Sequence, residues 1–260
     1  MYKNLRLTVV IPCFNEERQL PKVLASMPPF VDDLVVVDDG STDRTAAVTQ
    51  DFRNKDARIV LIRHEVNQGV GAAIASGYQW AQTNRSGIAV VMAGDAQMNP
   101  EDLTAILDPV AEGRADYCKG NRFTEPSSRR RIPRARLLGN EVLSFLTRLI
   151  SGYWHISDTQ NGYTAMNARV LQALDWSRMY KGYGQPNDLL VRLSLHRFRV
   201  AEVPHKAVYG GGEQSKMKIP RVIFPISLLL LKLAFLKIRT RVCGPAGPGS
   251  RRQESFRPFE

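Results

Sequence analysis

The sequence predicts an α/β protein with a doubly wound mixed sheet, and two observations support this fold class. Short apolar, β-branched runs alternate strictly with helix-length segments over residues 1–118, which is the pattern of parallel strands covered by helices on both faces. These runs are apolar throughout, as expected for strands that are buried on both faces. With 260 residues, of which 43% are hydrophobic, the chain can bury a core of this size.

Four strands and four helices account for the first half of the chain. The strands are predicted at residues 8–14, 33–37, 59–63 and 88–92. The helices are predicted at about 16–26, 44–52, 69–83 and 100–110. Pro12 marks the end of the first strand because it cannot donate to a strand ladder, and Pro100 suits the first turn of the fourth helix.

The second half is less regular and ends in a separate segment. Helices are expected at 137–151, 169–174 and 188–195, and strands at 164–167 and 200–209. Residues 219–242 are apolar and basic and are expected to form a C-terminal amphipathic helix, whereas the Gly/Pro-rich residues 243–260 are expected to be a disordered tail. Residues 1–218 then form one domain, which divides into halves after residue 118.

Charge is divided unevenly between the two halves. The whole chain has a net charge of +11, but residues 1–118 carry 11 Lys and Arg against 16 Asp and Glu, and residues 119–260 carry 25 against 9. An acidic half suits a bound cation, whereas a basic half suits anionic lipid or phosphate. The three cysteines have neither the spacing of a zinc site nor that of a redox pair, which favours a reducing compartment.

Adjacent carboxylates follow the second predicted strand. Val35–Val37 leads directly into Asp38 and Asp39, and a Gly-Ser-Thr turn comes next. The carboxyl ends of parallel strands are where open α/β sheets bind ligands, and two neighbouring like charges favour a ligand with hydroxyl or amide donors, or a cation. Glu16, after the first strand, would lie on the same edge. The alternatives are a solvated turn for the aspartates and a residue favoured by the helix dipole for Glu16.

Two further turns carry the same kind of signal. Gly69 and Gly71 open the third helix, where a backbone can approach a ligand closely and present amide groups. Their spacing does not match a dinucleotide fingerprint, and glycine also serves at any tight turn. Asp95 and Gln97 follow the fourth strand and offer hard oxygen ligands suited to Mg²⁺ or Mn²⁺ bridged by a diphosphate. The alternative for this pair is a polar turn before the next helix.

The segments that follow the first four predicted strands occur in an order and at a spacing that resemble the family 2 glycosyltransferases. These enzymes have a GT-A (Rossmann-like) fold and use nucleotide-diphosphate sugars. Within that family the chain is most similar to the polyprenyl-phosphate sugar transferases, the group that includes dolichyl-phosphate mannosyltransferase. The resemblance covers roughly residues 7–218 and is most specific at 35–45 and 67–73. It implies a nucleotide-sugar-binding half at 1–118 and an acceptor half at 119–218.

The resemblance also implies an activity and a location. The activity is inverting transfer of a hexose from GDP-mannose or UDP-glucose to a polyprenyl phosphate, with Mg²⁺ or Mn²⁺ as cofactor. The location is the cytoplasmic face of a membrane, held in a peripheral or monotopic manner. The alternatives are transfer to a sugar hydroxyl of a glycolipid or polysaccharide and, in a different class, a basic nucleic-acid-binding module, which does not explain the acidic strand ends.

By position, the resemblance assigns one group of residues to the nucleotide and its metal. The nucleotide contacts would come from Pro12, Phe14, Glu16, Asp39, Asn67, Gly71 and Asp95. Asp95 and Gln97 match the metal-binding Asp-x-Asp of the family, although an amide replaces the second carboxylate in this chain.

A second group of residues belongs to the acceptor half. The resemblance assigns catalytic roles to Arg122, Asp158, Asp188 and Lys216, with Asp188 where relatives often place a base and Lys216 in a late loop over the diphosphate. A phosphate monoester arrives as an anion and needs no base, so Asp188 would orient the donor sugar or the acceptor. The alternatives are a turn residue for Asp158 and a helix cap for Asp188.

Basic segments in the second half favour an anionic acceptor at a membrane surface. The run 129–136 holds five arginines, and because guanidinium groups bind phosphate bidentately, Arg122, Arg131 and Arg134 are predicted to hold the acceptor phosphate. No aromatic residues interleave with this run to stack on bases, so no nucleic-acid partner is expected.

The C-terminal apolar run is too short to span a bilayer as a helix. Residues 222–236 fall below the about 20 residues that spanning requires, and they lie in a segment, 216–241, with seven basic residues and no acidic one. This pattern favours an interfacial helix on an anionic membrane surface. The alternatives are a packed core helix and a short or re-entrant membrane segment.

Overall fold

The computed structural model describes residues 1–124, 134–206 and 219–243, with side chains except in 134–140, 219–224, 236 and 239–243. Its strands are β1 (Leu7–Cys13), β2 (Asp33–Asp38), β3 (Ile59–Arg63), β4 (Ile88–Val91), β5 (Tyr117–Asn121), β6 (Thr164–Asn167) and β7 (Val200–Pro204). They form one sheet in the order β3-β2-β1-β4-β6-β5-β7. Because β6 is antiparallel to both neighbours and the other pairs are parallel, the predicted mixed sheet is confirmed.

Helices cover both faces of this sheet. The α-helices are α1 (Leu20–Ala25), α2 (Thr45–Arg53), α3 (Val70–Thr83), α4 (Leu103–Ala111), α5 (Arg134–Ser151), α6 (Ala168–Ala173), α7 (Gln185–Leu195) and α8 (Ile219–Cys243). Short 3₁₀ turns lie at Pro100–Asp102, Arg122–Thr124 and Trp176–Arg178.

Alternate residues of the central strands fill two cores, one on each face of the sheet. In β1, Val9 and Ile11 pack with α1 and α4, whereas Val10 packs with α3. Each fully buried side chain of this size contributes about 1.5–3 kcal/mol. α3 lies close to the sheet because Gly77 has no side chain: a Cβ at that position would lie 2.2 Å from Val10 Cγ1. The two cores fix the carboxyl ends of β1, β2 and β4 along one edge.

Two boundaries in the first half differ from the prediction for local reasons. β1 ends at Cys13, one residue before the predicted end and one residue past Pro12. Pro12 is tolerated because the ladder with β4 stops at Val10 and Val91, while the pairing with β2 continues to Cys13. α1 begins at Leu20 and not near residue 16, because the amides of residues 15–17 donate to side chains of the Ser41–Thr45 segment instead.

The strand β5 has no counterpart in the sequence prediction. Its residues read Tyr-Cys-Lys-Gly-Asn, which is a polar, glycine-containing pattern, yet all five residues are buried. Neighbours on both sides explain this burial, since β5 lies between β6 and β7. A strand that is buried by tertiary contacts carries little of the signal that strand propensity provides.

The C-terminal helix α8 has apolar side chains on two sides. Ile226 and Leu230 pack against Leu143 of α5 in a small separate core, whereas Leu231 and Phe235 are 55% and 65% exposed. In the described part of the chain, no helix combines the length and the apolar character that crossing a bilayer requires. The predicted disordered tail lies outside the described residues, except for Cys243, which ends α8.

Candidate active site

The site lies where the strand order changes direction, between the carboxyl ends of β1 and β4. Open α/β sheets bind ligands in the crevice at this point. The two strand ends are in direct contact, because the Gly94 amide donates to the Pro12 carbonyl at 3.2 Å. A Cβ at Gly94 would lie 2.5 Å from Cys13 Sγ, so a larger residue would have to displace the Cys13 side chain. The contact brings Asp95 beside the segment that carries Phe14 and Glu16.

Asp39 fixes the glycine turn that opens α3. Its carboxylate, 2% exposed, accepts from the amides of Gln68 and Gly69 at 2.9 and 2.8 Å, and it pairs with His64 Nδ1 at 2.6 Å. A carboxylate has about four acceptor positions, and these contacts use three of them. Asp39 therefore shapes the crevice wall, and its predicted contact with the nucleoside stays a prediction.

Asp38 has different partners from Asp39, and its buried Oδ2 makes no hydrogen bond among the described residues. It is fully buried; Oδ1 accepts from the Ser41 amide at 3.0 Å, and Oδ2 lies 3.4 Å from Arg63 Nε. The two neighbouring carboxylates therefore have separate partners. Asp38 stabilises the turn after β2 through the Ser41 amide.

The loop after β1 carries two of the predicted nucleotide contacts. Asn15 has a positive φ of 55° and its Oδ1 accepts from the Thr42 amide at 2.9 Å, while the Glu16 amide donates to Thr45 Oγ1 at 2.8 Å. These bonds join the loops after β1 and β2, so Phe14 and Glu16 lie half-buried at the crevice. The prediction that Glu16 and Asp39 follow neighbouring strands is confirmed.

Gly71 is explained by a contact within the protein. A Cβ at this position would lie 2.1 Å from the Tyr180 carbonyl oxygen, and the Gly71 amide donates to the Lys181 carbonyl at 2.8 Å. The start of α3 is thereby tied to the loop before α7. Asn67 is exposed at the outer end of the same turn. For both residues the nucleotide contact stays a prediction.

Asp95 and Gln97 form a tight turn at the crevice. Asp95 Oδ1 accepts from the Gln97 amide at 3.1 Å, and Ala96 between them has a positive φ of 58°. Within the described residues, no group of three or more His, Cys, Asp or Glu side chains is placed to hold a metal ion. A carboxylate and an amide oxygen fit a hard cation that takes its remaining ligands from a diphosphate and water, as Mg²⁺ commonly does.

In residues 119–218, the predicted acceptor half, Arg122 and Asp158 form a bidentate pair. Arg122 Nε and Nη2 lie 2.7 and 2.9 Å from the two carboxylate oxygens, and the Arg122 amide also donates to Oδ2. Asp158 is fully buried, which by itself raises its pKa, but the Arg122 charge and hydrogen bonds outweigh burial and hold the pKa below its usual value. Asp158 is therefore an ionised partner that fixes the direction of the guanidinium.

Lys119 is a charged residue that sequence analysis did not single out. Its side chain is fully buried, and Nζ has no hydrogen-bond partner among the described residues. Burial lowers the pKa of Lys119 to about 8, although Asp158 and Glu202 favour the charged form. Glu202 lies opposite Lys119 in the β5–β7 register and accepts from the amides of Ser157 and Asp158. Lys119 was missed because β5 was not predicted, and a lysine outside a predicted strand is expected to be exposed to solvent.

Asp188 is buried in the first turn of α7. Oδ1 accepts from Arg192 Nε at 2.8 Å, and Oδ2 accepts from the Tyr180 amide at 2.8 Å. Burial raises the pKa of Asp188, and the Arg192 charge acts against that rise. Since the side chain is fully buried, Asp188 holds the loop that packs on Gly71, and a role in catalysis stays a prediction.

The glycosyl transferase family 2 matches this chain over residues 8–175. The chain belongs to this family. As a glycosyltransferase, it is similar over most of its length to enzymes named for lipid phosphates. It is 28% identical to the UDP-N-acetylglucosamine–dolichyl-phosphate N-acetylglucosaminyltransferase of Methanococcus voltae, over 88% of this chain and 96% of that protein. It is 33% identical to the polyprenol monophosphomannose synthase of Mycolicibacterium smegmatis, over 76% of each chain.

A solved structure supports the GT-A fold of this glycosyltransferase. The glucosyl-3-phosphoglycerate synthase of Mycobacterium tuberculosis, in complex with Mn²⁺, UDP and phosphoglyceric acid, superposes with a TM-score of 0.68 at 18% identity. The superposition covers 89% of this chain and 79% of that one. At this identity the likeness concerns the fold alone, and it confirms the fold class that the sequence predicts.

Some of the predicted site residues of this glycosyltransferase cannot be placed. Arg131 and Lys216 lie outside the described residues, and Arg134 begins α5 without a described side chain. Among the others, the structure brings Pro12, Phe14, Glu16, Asp39 and Asp95 to one edge of the sheet. Arg122 follows β5 and reaches the same edge, because β5 runs antiparallel to β6 and β6 runs antiparallel to β4.

Proposed function

We propose that this glycosyltransferase moves a hexose, with inversion, from a nucleotide-diphosphate sugar to a polyprenyl phosphate at an anionic membrane surface on the cytoplasmic side. GDP-mannose and UDP-glucose are the proposed donors, and the name of the Methanococcus relative adds UDP-N-acetylglucosamine to the candidates. The acceptor class is supported by relatives named for dolichyl phosphate, polyprenol monophosphomannose and undecaprenyl phosphate.

The proposed acceptor class rests mainly on how Asp158 and Asp188 are bound. Both are fully buried, and each binds an arginine, Arg122 or Arg192, at 2.7 to 2.9 Å. A sugar hydroxyl requires a general base within reach because its pKa lies far above neutral. Neither carboxylate is available in this way. A phosphate monoester is already an anion, so it requires cations and not a base.

In the proposed reaction, an acceptor phosphate oxygen forms a bond to the anomeric carbon as the bond to the diphosphate oxygen breaks on the opposite face. Arg122, held in direction by Asp158, stabilises the negative charge of the phosphates, and Lys216 and the arginines of 129–136 are proposed to add to it. Asp95 and Gln97 would hold Mg²⁺ or Mn²⁺, which supplies a Lewis acid for the leaving diphosphate when bound. Pro12, Phe14, Glu16, Asp39, Asn67 and Gly71 are proposed to enclose the nucleotide.

The exposed apolar side chains of α8 support attachment to a membrane surface. Leu228, Leu231, Phe235 and Ile238 are between 45% and 65% exposed. Large exposed apolar patches mark interaction sites, and the neighbouring lysines and arginines suit anionic lipid. Lys237 also binds the end of α5, through the carbonyls of Ile150 and Ser151 at 2.6 and 2.8 Å, so α8 and α5 present one joined surface.

An extraction assay tests the proposed function. The protein is incubated with polyprenyl phosphate, Mg²⁺ or Mn²⁺, and each of the radiolabelled donors GDP-mannose, UDP-glucose and UDP-N-acetylglucosamine in turn. We expect one donor to yield a glycolipid that partitions into organic solvent, and EDTA to abolish its formation. Failure of every donor, together with transfer to a glycolipid hydroxyl, would overturn the proposal.

The variant Asp188→Asn separates the two acceptor classes. With a phosphate acceptor we expect a modest loss of kcat, because Asp188 only positions the loop before α7. With a hydroxyl acceptor the loss of turnover would be nearly complete in a protein that remains folded. Arg192→Gln is the matched control, since it removes the same buried pair from the other side.

A further inference from the structure

A cleft of about 440 Å³ lies between α5 and the end of β5. Its lining comes from three segments and consists of Asn121, Phe123, Thr124, Glu141, Ser144, Arg148 and Ser157. Asn121 and Phe123 flank Arg122 in the chain, so the cleft opens beside the arginine that the proposed function assigns to phosphate. None of the predicted site residues lines it.

Arg148 is a charged residue of this cleft with a donor that lacks an acceptor in the described part of the chain. Its Nε is buried and makes no hydrogen bond with any described residue. By contrast, the lining hydroxyls of Ser144 and Thr124 are already bonded, to Thr159 and to the Asn121 carbonyl. A buried guanidinium N–H without an acceptor is unfavourable, and a planar fork of this kind suits a phosphate.

An exposed apolar stripe runs along α5 beside the cleft. Val142, Phe145 and Leu149 are 51%, 51% and 56% exposed, and at about 100° per residue they lie next to the stripe of Glu141, Ser144 and Arg148. Trp154, 56% exposed, extends this stripe, with its ring centroid 6.3 Å from that of Phe145. A ligand that fits both stripes has an anionic head and an apolar chain.

We propose that this cleft is the acceptor site and that it binds an isoprenoid monophosphate, with the phosphate on Arg148 and the first isoprene units along Val142, Phe145, Leu149 and Trp154. This inference rests on the proposed function for its ligand class. Glu141 lies on the same side of α5 as Arg148 and places a negative charge in the lining of the cleft. This charge repels ligands with additional negative charge and so favours a compact monoester.

Trp154 provides a binding readout that needs no donor and no turnover. Farnesyl phosphate is titrated into the full-length protein while tryptophan fluorescence is recorded, with farnesol, inorganic phosphate and phosphatidylglycerol vesicles as comparison ligands. We expect saturable binding of farnesyl phosphate that is at least ten times tighter than that of the other ligands. Trp154→Phe should lose the fluorescence change while calorimetry still detects binding, because Trp176 is buried and Trp80 lies in α3 and not among the cleft residues.

Substitutions of the arginine then test the site itself. Arg148→Met should raise the Kd for farnesyl phosphate at least tenfold, Arg148→Lys should have an intermediate effect, and Phe145→Ser should weaken farnesyl phosphate but not inorganic phosphate. The matched control is Arg53→Met, at an exposed position in the last turn of α2, which should bind as the unchanged protein does. Circular dichroism verifies that each variant is folded.

Three results would overturn this assignment. They are an unchanged Kd in Arg148→Met, equal binding of farnesol and farnesyl phosphate, and equal binding of phosphatidylglycerol. The assignment and the proposed function fail separately. Sugar transfer to polyprenyl phosphate with an unchanged acceptor KM in Arg148→Met would remove this site alone, whereas tight farnesyl phosphate binding without any sugar transfer would remove the proposed function alone.

Discussion

The candidate site carboxylates of the two halves, Asp39 in the first and Asp158 and Asp188 in the second, are held in different ways. In the nucleotide half, Asp39 is held mainly by backbone amides and a histidine. In the acceptor half, Asp158 and Asp188 are each held by an arginine, and Lys119, near Asp158, has no hydrogen-bond partner among the described residues. Amides fix the shape of a loop without changing its charge. Paired arginines instead keep positive charge in a buried place, where an arriving phosphate can use it.

The largest expected effect is that of Asp158→Asn. Removing one partner of a buried ion pair costs about 3–5 kcal/mol, because the other charge stays buried and uncompensated. We expect this loss in the free energy of unfolding, measured with urea, and a loss of sugar transfer of at least a hundredfold. Asp39→Asn should cost only about 1–3 kcal/mol, since neutral donors keep a neutral acceptor. Equal losses in the two variants would contradict the difference between the halves.

A second prediction concerns the contact that joins the halves at Gly71. Gly71→Ala places a methyl group against the backbone of Tyr180, and because backbone cannot rotate away, we expect a loss of about 3 kcal/mol, the upper end for overpacked sites. Thermal unfolding measures the loss. Gly162→Ala is the control, because its Cβ would meet only Met98 Cε at 3.5 Å. Similar stability of the two variants would show that the contact is dispensable.

Lys119 gives a pH dependence of stability. Burial lowers its pKa in the folded protein to about 8, against about 10.4 in the unfolded chain. Below pH 8 both states carry the proton and the cost of burying the charge is fully present. Above pH 8 only the unfolded state keeps the proton, so the folded state gains stability up to about pH 10. Between pH 7 and 9.5 the free energy of unfolding of the unchanged protein should therefore rise by about 2 kcal/mol relative to that of Lys119→Met.

The comparison for this prediction is made between the two proteins at each pH, so that the titration of tyrosines cancels. Urea unfolding at pH 7, 8, 9 and 9.5 gives the difference. Lys22→Met serves as the control, since Lys22 is exposed in α1 and its variant should show no pH-dependent difference. If the difference in free energy of unfolding between Lys119→Met and the unchanged protein stayed constant with pH, folding would not lower the pKa of Lys119.

The smallest expected effect is a change in metal affinity on substitution of Asp95 or Gln97. Gln97→Asp adds a second carboxylate beside Asp95, and because divalent cation affinity rises with the number of charged ligands, we expect about tenfold tighter Mn²⁺ binding in the presence of a nucleoside diphosphate. Asp95→Asn should weaken binding by a similar factor. Calorimetry or electron paramagnetic resonance measures both. Unchanged affinity in both variants would remove Asp95 and Gln97 from the proposed metal site.

The sequence predicted the nucleotide half better than the acceptor half, and the reason is physical. β3 has the predicted bounds because its apolar run and flanking turns are local signals. β5 was missed because its burial comes from β6 and β7. The positions of Asp38 and Asp39 were predicted, but their separate partners depend on contacts with Arg63 and His64 that no spacing reveals.

The antiparallel strand β6 has a consequence for how the protein is made. β5 leaves the ribosome before either of its neighbours in the sheet, β6 and β7, and β4 acquires β6 only about seventy residues after its own synthesis. Pairings that distant in sequence form slowly, since the intervening chain must first be closed into a loop. In a nascent chain that ends before residue 164, one edge of β4 is therefore unpaired. The edge of the nucleotide half is covered only after β6 of the acceptor half has been synthesised.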